Sequence, residues 1–228
     1  SGCRHGRLRQ SASAQQALVV RSGHEAYCPI CKQDVTWAEW TVNLTVGGHY
    51  YLTKDITSGS QFTVGKDADP ALYCLDTNGY SFKKATGRAF NVYGGSTVNL
   101  FNTSDFESII LGGYTADIGG VTNLDTTSSL NLYDGITYIG AAANNGMAKN
   151  NGGVISMAAG TFNMYGGPLI GQTAKSGGAV YVNGGTFNLH DGTIQGGDAQ
   201  FGGSITVSGG TFNMTGGTVT GGQTLPGS

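Results

Sequence analysis

Along the C-terminal part of the chain, apolar and polar residues alternate in short bursts that recur with a fixed phase. Thr186-Phe187-Asn188-Leu189 is one burst, and the same polar-apolar-polar-apolar order stands at Thr161–Met164 and Thr211–Met214, 25 residues to either side. The pairs Gly152-Gly153, Gly177-Gly178 and Gly202-Gly203 keep the same period. Alternation bounded by Gly and Asp is a strand with one buried face. A repeat in the twenties marks a solenoid, whose units bury their apolar faces on each other. The middle repeat predicts three strands, Ala179–Val182, Thr186–Leu189 and Thr193–Gln195, separated by Gly184-Gly185, Asp191-Gly192 and Gly196-Gly197. Three such strands and their turns need about two dozen residues per circuit at roughly 3.3 Å per residue. The pattern therefore predicts an all-β right-handed parallel β-helix of about 25 residues per rung, its hand following the rule for parallel crossovers.

The repeat reaches further back in looser form. Thr97–Leu100 and Ser129–Leu132 carry the same burst at a spacing of 32, which leaves room for loops, most visibly the unpatterned Ala141 to Asn151. Irregular rungs are predicted over Tyr50–Ile56, Gln61–Lys66, Ala71–Leu75 and Arg88–Tyr93. Stacking should place Val98, Leu130, Phe162, Phe187 and Phe212 in one inward column, and Leu100, Leu132, Met164, Leu189 and Met214 in the next. Asn99, Asn131, Asn163, Asn188 and Asn213 then form an outward row. Rungs lie about 4.8 Å apart, so these amides can bond to one another up the stack.

Composition narrows the partners. The 40 Gly among 228 residues suit tight turns that need positive φ. Only 11% of residues are charged and the net charge is −2, so nothing favours nucleic acid or an anionic membrane. No apolar run approaches the ~20 residues that span a bilayer. No secretory signal opens the chain, which reads as a mature form or an excerpt.

Residues 1–40 form a separate N-terminal segment, poor in Gly and rich in potential metal ligands, ahead of a β-helix over 41–228. Cys28-Pro29-Ile30-Cys31 is a CxxC knuckle of the kind that holds zinc by two thiolates, with Cys3 and His5, or His24, to complete a structural site. A Cys28–Cys31 or Cys3–Cys28 disulfide fits the same residues in an oxidising compartment. Cys74, in "ALYCLDTNGY", reads as a small inward core filler.

The succession "CPICKQDVTWAEWT" (residues 28–41), "GGHYYLTKDIT" (47–57), "YCLDTNGYSF" (73–82) and repeated "GGTFN" units resembles large secreted, adhesin-like surface proteins of gut Firmicutes. That resemblance covers nearly the whole chain. It departs at "CLDTNG", two residues longer at the turn than the family's form, and between Arg7 and Arg21. It implies an extracellular, cell-wall-associated setting and supplies no activity.

Right-handed β-helices often cleave acidic polysaccharides, which needs clustered carboxylates on neighbouring rungs. The register puts Asp134 and Asp191 at one rung position but two rungs, about 9–10 Å, apart, and each precedes Gly as in a turn. Asp105 with Glu107 is an acidic cluster with no basic residue close in sequence, and Lys83, Lys84 and Arg88 read as solvated surface. The expectation is a non-enzymatic structural or adhesive scaffold. Its open last repeat would stack on further repeats or other subunits, as in a filament. The alternative is a carbohydrate-binding or polysaccharide-cleaving module, with Tyr133 and Tyr165 as a platform for surface glycans.

Overall fold

The computed structural model describes residues 25–59, 61–84, 87–112, 122–140 and 151–225. Ten strands build its first part: β1 (Glu25–Cys28), β2 (Gln33–Glu39), β3 (Asn43–Leu44), β4 (Gly48–Tyr51), β5 (Ile56–Ser58), β6 (Phe62–Val64), β7 (Leu72–Asp76), β8 (Phe82–Lys84), β9 (Phe90–Val92) and β10 (Thr97–Phe101). From β4 on, the chain visits three sheets in rotation, and each strand pairs in parallel with the strand one circuit later. The result is a parallel β-solenoid of about six turns, roughly 25 residues apart. No helix occurs among the described residues, and none is long and apolar enough to cross a membrane.

The first sheet carries the strongest repeat. It runs β2, β4, β7, β10, then Ser129–Leu132, Thr161–Met164, Thr186–Leu189 and Thr211–Met214. Its register pairs Val98, Leu130, Phe162, Phe187 and Phe212 in one column and Leu100, Leu132, Met164, Leu189 and Met214 in the next, as the alternation predicts. The rings of Phe162, Phe187 and Phe212 stack with centroids 5.0 and 5.4 Å apart. The two other sheets add Phe62, Phe90, Val180, Leu169 and Ile194 to one continuous interior. Asn131, Asn163, Asn188 and Asn213 each donate a side-chain hydrogen bond to the asparagine one rung earlier.

The Gly pairs have a physical reason. Gly152, Gly177 and Gly202 sit at φ of 73°, 65° and 59°, a left-handed turn once per circuit that an L side chain resists. Their partners Gly153 and Gly178 lie where an added Cβ would collide with the carbonyl oxygens of Gly178 and Gly203. The first glycine of each pair is needed for its dihedral, the second for its lack of bulk.

Two further features add to the three sheets. A short extra pair, Ala174–Ser176 with Ala199–Phe201, fills the turn between the second and third sheets. At the other end β1 folds back antiparallel on β2, which itself pairs in parallel with β4. The predicted N-terminal segment thus contributes β2 to the first solenoid sheet. The predicted loop over Ala141–Asn151 lies, but for Asn151, outside the described residues.

Candidate metal centre

The outward row of the first sheet changes character towards its beginning. The register aligns Trp37, His49, Cys74 and Asn99 on successive strands, so His49 and Cys74 occupy the position that asparagine holds in later rungs. His49, Cys74 and Asn99 are also 25 residues apart, an extension of the period in plain view in the chain. The β1–β2 hairpin folds over this stretch and brings Cys28, at the end of β1, and Cys31, in the following turn, onto the same spot.

The donor atoms of Cys28, Cys31, His49 and Cys74 all lie within 4.8 Å of one another. Cys31 Sγ is 3.2 Å from His49 Nε2 and 3.5 Å from Cys74 Sγ. Tetrahedral zinc with Zn–S bonds of about 2.3 Å separates its sulfur ligands by roughly 3.8 Å, so this convergence fits one such ion. The knuckle is set up for thiolates. The Cys31 N–H points at Cys28 Sγ at 3.4 Å, and the turn closes with Lys32 N–H donating to Cys28 O at 2.8 Å while Lys32 takes φ of 57°. The three sulfurs belong to free cysteines.

An apolar shell shields the cluster. Cys28 and Cys74 are fully buried among Trp37, Tyr51 and Phe101 on the outer face of the sheet, which the hairpin covers here. Trp37 meets His49 edge-on at 5.4 Å and Phe101 at 6.2 Å, and its Nε1–H donates to Ala26 O at 3.1 Å, tying the hairpin down.

Crowding three thiols without a cation splits their acidities. A hydrogen bond from Cys74 pulls Cys28 down to about 5 despite burial. Burial pushes Cys31 up, and Cys74 is held up by the bond it gives to Cys28 and by burial. One thiolate and two retained protons is the arrangement that an unscreened cluster tolerates, and a divalent cation there would displace both protons. Beside the cluster, burial pushes the Asp76 carboxyl up to about 6, against hydrogen bonds from the hydroxyl and N–H of Thr103 and the N–H of Asn78.

Against the sequence reading, Cys28 and Cys31 stand where the knuckle predicts, whereas Cys3, His5 and His24 lie outside the described residues. The four donors present already fill a tetrahedral ion without them. Cys74 is corrected: it is buried as expected but faces outward, between the inward Tyr73 and Leu75, as a donor rather than core filler. His49 was missed altogether.

The remaining candidates are engaged in structure. Asp134 accepts from Gly167 N–H at 3.0 Å, and its carboxylate fills the space where a Cβ on Gly166 would stand. Asp191 accepts from Gly192 N–H at 2.7 Å. Lys84, read as solvated, is buried and donates to the Gly59 carbonyl. Glu107 accepts from Thr137. Tyr165 is sandwiched between Tyr133 at 5.2 Å and His190 at 4.7 Å, so both its faces are spent within the column and it offers a glycan only edges.

Comparison of the chain with protein-family models, curated proteins and solved structures finds no match.

Proposed function

We propose that this chain is a structural module of a bacterial surface protein: a rigid, exported β-solenoid scaffold whose first rungs are locked by one structural zinc. The observation that carries this reading is the closed donor set of Cys28, Cys31, His49 and Cys74. Structural zinc takes four protein ligands and leaves no position for substrate, whereas catalytic zinc keeps one position open. Cys28 and Cys31 come from the hairpin, His49 from β4 and Cys74 from β7, so one ion would clamp three consecutive layers of the first sheet. When bound, the ion supplies charge neutralisation for the thiolates and a cross-link. The protein supplies the apolar shell that keeps water off them.

The setting outside the cell and the adhesin-like role rest on the resemblance of the chain to secreted surface proteins, and on the low charge and glycine-rich repeat that suit a stalk. The scaffold is non-catalytic in this reading, with Asp134 and Asp191 serving turns. Protein purified without chelator should carry about one zinc per chain and melt at a lower temperature once the metal is stripped under reducing conditions. A metal-free protein whose melting is indifferent to added zinc would overturn the proposal.

A further inference from the structure

The asparagine row does not end on an asparagine. Asn213 Nδ2 donates to Asn188 Oδ1 at 2.8 Å, Asn188 to Asn163 at 2.7 Å, Asn163 to Asn131 at 2.7 Å and Asn131 to Asn99 at 2.8 Å. Asn99 Nδ2 then points at Cys74 Sγ at 3.7 Å. Five carboxamides are thus oriented the same way, and the N–H end of the whole row faces the metal cluster.

A carboxamide row in isolation could run in either direction, since each member has one donor and one acceptor end. A sulfur that binds a metal removes that freedom. A thiolate accepts and cannot donate, so only the Nδ2 end of Asn99 can face it. Asn99 Oδ1 must then point to Asn131 and be met by its Nδ2, and the same choice passes up the stack. Chains of hydrogen bonds polarise one another, more so away from water. Asn99 is 5% exposed and the Cys74 sulfur is fully buried, so no solvent competes for this contact.

We infer that the asparagine row is the outer shell of the metal centre, with Asn99 a positioning residue that donates N–H to the metal-bound Cys74 sulfur and the later asparagines holding it in that orientation. This rests on the metal reading above. Partners of metal ligands hold them in place and tune their donor strength, and losing one commonly costs about 10–100-fold in metal affinity. The repeat thereby does two things with one residue: it zips the rungs together and it delivers an oriented dipole to the site.

The test reads the thiolate-to-metal charge-transfer band of the full chain loaded with cobalt(II), together with zinc affinity by chelator competition. Asn99→Leu should move the band to lower energy, because a sulfur relieved of its hydrogen bond donates more readily, and should weaken zinc by about 10-fold. Asn131→Leu should move it the same way by less, and Asn213→Leu, at the far end of the row, should leave it in place. Should Asn99→Leu fail to fold, Asn99→Asp serves instead. It keeps the volume and still accepts from Asn131 but turns an oxygen to the sulfur, and must show the larger loss of affinity. A folded Asn99 variant whose band and zinc affinity match the wild type overturns the inference. Failure of the wild type to bind cobalt at all overturns the metal reading itself, and that outcome is visible in the wild-type arm alone.

Discussion

The thiols of Cys28, Cys31 and Cys74 are crowded together, Cys28 pulled down by its hydrogen bond from Cys74 and the other two pushed up, and that makes a measurable demand on metal binding. With Cys28 held down to about 5 and the other two pushed up, a metal arriving near neutral pH must expel the protons of Cys31 and Cys74. Calorimetry in buffers of different ionisation enthalpy should therefore find about two protons released per zinc. Zinc affinity should fall as pH falls, because protons then compete for the sulfurs, and the metal's share of stability falls with it. Release near zero would mean that the thiols do not bind the ion. Cys74→Ser and His49→Ala should each leave well under one zinc per chain after dialysis, while a substitution at His190, beside a turn in a later rung, should leave the content unchanged. The knuckle was legible in the chain because CxxC is local. His49 and Cys74 were not read as ligands because each looks like an isolated residue in its own segment. The 25-residue interval through His49, Cys74 and Asn99 was the available signal. His49 and Cys74 both lie beyond the first forty residues, where no local knuckle marks them as ligands.

At the scale of the strand and turn, alternation and glycine placement carried most of the information. The inward columns, the asparagine row and all three strands of the middle repeat could be read because parallel in-register stacking forces each rung to repeat the chemistry of the last. Phe187→Ala removes a ring stacked between Phe162 and Phe212 and should cost about 3–5 kcal/mol in chemical denaturation. Gly178→Ala should destabilise by about 1–3 kcal/mol, since the methyl group meets backbone of the next rung that can yield only by shifting. Equal stability of Gly178→Ala and wild type would show that the Gly203 carbonyl lies too far from Gly178 for an added Cβ to meet it. Less legible were the antiparallel fold-back of β1 on β2 and the extra strand pair at Ala174–Ser176. The fold-back depends on what the hairpin covers, and the extra pair keeps the 25-residue interval from Ala174 to Ala199 but shares no apolar alternation between its two strands.

The whole molecule is asymmetric along its axis. One end of the first sheet carries the hairpin and the thiol cluster. At the other, Ile205, Phe212 and Val219 are only partly buried in the last described rung, and Met214 is half exposed. In the proposed scaffold three sulfurs and one imidazole close around a single ion at the start of the solenoid. Zinc-edge X-ray absorption of the protein as purified tests it most directly. It should report three sulfur ligands at about 2.3 Å and one nitrogen at about 2.0 Å. A spectrum dominated by oxygen ligands, or zinc-free protein with its cysteines paired as disulfides, would contradict it.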